Sequence, residues 1–143
     1  MKTILMACAA ALGLAGSAAA EVYKCDMEPR GLAGGISEVI FYNYDSNKPK
    51  DIWVYDGVTE ALVGGVVQGK LVRDDERFFK IKWSIAPTRT KEYGSTPRYD
   101  YTLSIHKKKG LIAKKGLAVV YGYPIGYDNH FEGHGACNPY KKK

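Results

Sequence analysis

The chain has no Walker loop, no Gly-x-Ser-x-Gly elbow, no His-Glu-x-x-His and no Cys-x-x-Cys. The patterns that mark P-loop nucleotide chemistry, a hydrolase nucleophile, a zinc-protease helix or a dithiol redox pair are therefore absent. Cysteine is scarce, at 3 residues, and past the N-terminus no apolar run is long enough for a multi-pass membrane protein. No internal repeat, long linker or low-complexity block follows residue 20. Collagen-like and coiled-coil classes are excluded by composition. At 45% hydrophobic and 25% charged residues the 143-residue chain is not a disordered one, and its length suits one domain.

The first twenty residues read as an address. Met1-Lys2 is a short positive start, residues 3–14 form an uncharged apolar run, and Ala18 and Ala20 occupy the A-x-A positions of a signal peptidase site. The segment is too short and too rich in alanine for a membrane-spanning helix. A lipoprotein reading at Leu5-Met6-Ala7-Cys8 leaves almost no apolar core upstream of the cut. The expectation is a signal peptide over 1–20, cleaved near Ala20, and a single β domain over 21–143 that is periplasmic or secreted. Cys8 leaves with the signal, and Cys25 and Cys137 remain. In an oxidising compartment such a pair is most simply a disulfide.

After residue 20 the apolar period is two rather than 3.6. Over 77–85, Phe79, Ile81, Trp83 and Ile85 share one face, with Phe78, Lys80, Lys82 and Ser84 on the other. Over 99–106, Tyr99, Tyr101, Leu103 and Ile105 point inward. Further strands are expected over 22–27, 38–44, 51–55, 66–72, 117–123 and 129–137, with a short one over 58–63. Asp45-Ser46-Asn47-Lys48-Pro49, Asp56-Gly57, the polar run 73–76 and residues 107–110 read as turns. Two longer loops, 28–36 and 86–98, stand out. About eight strands joined mostly by short turns point to an all-β antiparallel barrel closed by one disulfide, with a sandwich as the alternative.

Three residue groups carry chemistry. Tyr99, Tyr101, Tyr121 and Tyr123, expected on inward faces, form a candidate ligand-binding set, because a phenol ring offers apolar area and one hydroxyl. Core packing is the competing reading. On a strand, Asp128, His130, Glu132 and His134 share one side, and Phe131 and Cys137 the other. His130, Glu132 and His134 could then hold a divalent metal, zinc or iron, if Gly133 and Gly135 bend the chain. The plainer reading is a solvated outer face. Lysines cluster at Lys48/Lys50, Lys107–Lys109, Lys114/Lys115 and Lys141–Lys143. Without Lys2 the chain carries 20 basic against 15 acidic residues, which favours anionic envelope components; lysines at turn tips also keep strands soluble. Export argues against nucleic acid.

Tyr23-Lys24-Cys25, a strand through Phe41-Tyr42-Asn43, Asp56-Gly57 and the terminal Cys137 resemble the layout of the periplasmic C-type lysozyme inhibitor family. The resemblance implies a small eight-stranded barrel closed by a disulfide, and a protein-binding role. The inhibitory Ser-Gly-x-x-Tyr loop of that family has no counterpart, and residues 63–77 stand in its place. The segment from Gly126-Tyr127-Asp128-Asn129 to Cys137 is similar to the tails of small exported β-barrel proteins of Gram-negative bacteria, which implies a compartment and no activity. The expectation is a non-enzymatic binding protein for a small amphipathic or anionic ligand. The alternatives are a protein-binding module, such as a hydrolase inhibitor working through loop 28–36 or 86–98, and a metal-binding protein.

Overall fold

The computed structural model describes residues 21–31, 35–107 and 118–141. The expected signal segment, Cys8, the lysines at 108, 109, 114, 115, 142 and 143, and part of loop 28–36 lie outside the described residues. The described residues hold ten strands and one full helix, in chain order: β1 Glu21–Arg30, β2 Val39–Tyr44, β3 Ile52–Asp56, α1 Gly57–Val63, β4 Val67–Asp74, β5 Phe78–Ile85, β6 Thr88–Thr90, β7 Gly94–Thr96, β8 Tyr99–His106, β9 Ala118–Pro124 and β10 Phe131–Pro139. Eight of these close into an antiparallel barrel in the order β1-β10-β9-β8-β5-β4-β3-β2. β6 and β7 form a separate hairpin. Closure leaves the barrel with no free edge, which removes the sandwich alternative.

The seam between the first and last barrel strands carries the staple. β1 pairs with β10 from Tyr23↔Pro139 to Arg30↔Glu132, and Cys25 stands opposite Cys137. Their sulfurs are bonded across a sequence separation of 112. The barrel is filled rather than hollow. Ile40, Ile52, Val54, Ile81, Leu103 and Val120 are each no more than 2% exposed and alternate with outward residues along their strands.

Four expectations change. Residues 58–63 form α1 rather than a strand, and Asp56-Gly57 is a helix start rather than a hairpin turn. The Asp56 carboxylate accepts the Thr59 N–H at 2.7 Å, and the Thr59 hydroxyl accepts the Asp56 N–H at 2.9 Å. Gly64, at φ 82°, ends the helix with its N–H on the carbonyls of Thr59 and Glu60. The run 86–98 holds the β6–β7 hairpin. Tyr121 and Tyr123 face outward: β9 buries Ala118, Val120, Gly122 and Pro124 instead. Gly122 pairs with Tyr101, and a Cβ there would lie 2.5 Å from the Tyr101 ring, so no bulkier inward residue fits.

Candidate functional site

One end of the barrel is open to a cleft of about 480 Å³, enclosed by α1, the β6–β7 hairpin, residues 35–37 and the starts of β8 and β10. Each wall is braced. The Val58 N–H at the start of α1 donates to Ser37 Oγ at 3.2 Å, tying the helix to the loop before β2. The Tyr101 hydroxyl donates to the Gly35 carbonyl at 3.0 Å, and the Phe131 ring fills the space where a Gly35 side chain would stand. The hairpin is held by Thr88 N–H to Thr96 Oγ1 at 3.2 Å and Tyr93 N–H to Thr90 Oγ1 at 2.8 Å. Tyr93, at its turn, is 54% exposed.

The lining chemistry is narrow. Val58, Leu62, Ile36, Tyr99 and Phe131 supply apolar and aromatic surface, and Ser37, Ser95 and Thr96 supply hydroxyls. Among the described residues, no carboxylate, ammonium, guanidinium, imidazole or thiol is in the lining. Burial pushes the Tyr101 phenol well above its ordinary value, so at neutral pH it is a proton donor. Behind α1, Asp56 is 3% exposed, and burial raises its carboxyl against the opposing pull of its N–H bonds from Thr59 and Val58. Such a cleft can take up apolar surface and satisfy a few polar atoms at its rim.

The structure divides the expected tyrosine set in two. Tyr99 and Tyr101 line the cleft. Tyr121 and Tyr123 lie on the outer wall with ring centroids 6.3 Å apart, and the His130 ring stands 5.9 and 5.8 Å from them. The metal set divides as well. β10 starts at Phe131, so Asp128 and His130 precede the strand, although the His130 ring still rests on the outer wall against Tyr121, the register partner of Glu132. Glu132 and His134 are outward neighbours, with Oε1 and Nε2 2.5 Å apart. The His134 contact holds the Glu132 carboxyl below its ordinary range. Among the described residues, no group of three His, Cys, Asp or Glu side chains is placed to hold a metal ion. No described helix is long and apolar enough to cross a membrane.

Sequence reasoning missed Val58, Leu62 and Phe131, and reached Ile36 only as the end of loop 28–36. The signal for the helix pair was present in Asp56-x-x-Thr59, an N-terminal capping pattern. Ile36 and Phe131 meet the cleft only because distant segments converge. A second cavity, of about 280 Å³, lies at the opposite end beside Tyr23, Tyr42 and Tyr44. There the Tyr44 hydroxyl donates to Asp74 at 2.6 Å, and Lys107 is ion-paired with the same carboxylate. Comparison with protein-family models, with curated proteins and with solved structures returns no match.

Proposed function

We propose that the protein is an exported, non-enzymatic binding module whose ligand is a small amphipathic molecule seated in the end cleft. The observation that carries this is the cleft itself, in which partly exposed apolar side chains surround an opening rimmed by neutral hydroxyls. A ligand with a hydrocarbon portion and a polar head matches that division. The filled barrel core supports placing the ligand at the end rather than inside the barrel. The leader-type segment 1–20 and the cysteine pair support an oxidising compartment outside the cytoplasm. Both loops singled out in the sequence contribute to the rim. Exposed Tyr93 favours a second reading, in which the same rim grips a protein partner such as a hydrolase.

The test is native mass spectrometry of the full chain titrated with lauric acid, beside the variant Ala61→Trp. Ala61 is an exposed helix residue on the cleft wall, so a bulky ring there obstructs the opening without entering the core. A one-to-one adduct in the parent, weakened about tenfold or more in the variant, is expected. No adduct, or equal adducts in both proteins, sinks the reading and leaves the rim to a protein partner.

A further inference from the structure

The outer wall formed by β4 and β5 places like charges opposite one another. Lys70 stands across from Lys82, and past the bulge between Leu71 and Arg73, Arg73 stands across from Lys80. Like charges directly opposite on neighbouring strands work against the sheet. The Arg73 charge is matched locally, since its guanidinium is paired with Asp75 and lies 4.7 Å from the Phe78 ring centroid. Lys50, Lys70, Lys80 and Lys82 have no ion-pair partner among the described residues. Three of these four, Lys50, Lys70 and Lys82, line one open groove of about 740 Å³ together with Gln68. Its remaining hydroxyl, on Ser84, is already donated to Asp100 at 2.7 Å, and Arg98 matches that carboxylate at 2.8 Å.

We infer that this groove is an anion site, separate from the end cleft, and that it takes a phosphate-bearing ligand. The donor set decides the class. Three ammonium groups and an amide gathered in one groove exceed what a single carboxylate, with one charge and two oxygens, can use. A phosphoryl group brings up to two charges and three acceptor oxygens, and lysines act on it as point charges. Bound phosphate also offsets the repulsion between Lys70 and Lys82. The site therefore costs the free protein stability that a ligand returns.

Isothermal titration of the full chain with inorganic pyrophosphate at low salt tests this. A parallel arm uses phosphatidylcholine vesicles with and without phosphatidic acid. Saturable pyrophosphate binding is expected, weakened about tenfold or more in Lys70→Gln/Lys82→Gln, kept in Lys70→Arg/Lys82→Arg and reduced by added salt. Binding confined to the phosphatidic acid vesicles, and lost in the same Gln variant, assigns the phosphate to a lipid headgroup. The single variant Lys70→Glu should raise the Tm of the free protein by ~2–4 °C by turning repulsion into attraction. Absence of binding in both arms overturns the proposal. So does undiminished binding by the Gln variant, which would move the charge to other lysines, or a lower Tm in Lys70→Glu.

Discussion

Asp75 organises the turn between β4 and β5 from an exposed position. Its Oδ1 accepts the backbone N–H groups of Arg77 and Phe78, both at 2.8 Å, while its other oxygen meets the Arg73 guanidinium. The Phe78 N–H, the Arg73 contact and the Arg77 N–H together hold its carboxyl down at about 2. A group held this low in the folded state contributes stability above the unfolded carboxyl value of about 4, and that contribution is lost as pH falls toward 2. Asp75→Asn should therefore lower the Tm at neutral pH and flatten its fall between about pH 4 and pH 2. Melts of both proteins across that range check it, and parallel curves would show that the turn does not depend on the charge. This much was legible from sequence, because the polar run 73–76 marked the turn. What the carboxylate bonds to was not, since that depends on backbone direction after the strand ends.

Among the elements, β5 and β8 are legible because bulky and polar residues alternate, Phe78 excepted, so only one face can be buried. β9 is ambiguous, because Val119, Tyr121 and Tyr123 are as apolar as Ala118, Val120 and Gly122. Size alone favours the tyrosine face, but the interior opposite β9 already holds Tyr101, stacked on Trp83 at 5.4 Å between ring centroids. The smaller set goes in. Gly122→Ala should thus destabilise the protein by about 1–3 kcal/mol through overpacking. It should also weaken ligand uptake at the cleft, because a displaced Tyr101 loses its bond to the Gly35 carbonyl. Urea unfolding reads the first effect, and a change within about 0.5 kcal/mol would mean that the ring moves aside freely. β10 shows why the candidate metal set was overcounted: period-two counting extended the strand backward over His130, which precedes its start at Phe131.

For the whole molecule, the disulfide closes a separation of 112 residues at the seam where the chain's first and last barrel strands meet. On the chain-entropy model, a loop of this length constrains the unfolded chain by about 4–5 kcal/mol, and native disulfides commonly contribute about 2–5. Cys25→Ala/Cys137→Ala should lose stability in that range, read as a lower urea midpoint, with reductant moving the parent toward the variant. Equal midpoints would mean that the ladder between β1 and β10 closes the barrel unaided. The all-β class, the strand parity of β5 and β8 and the pairing of the only two cysteines past residue 20 were determined by the sequence itself. Each rests on local period or on elimination. Only the tertiary structure decided that Tyr101 braces Gly35 from 66 residues away, that α1 closes over a barrel end, and that Lys70 faces Lys82. Register and closure are non-local: they depend on which residue fills the space opposite, and that is written in no single strand.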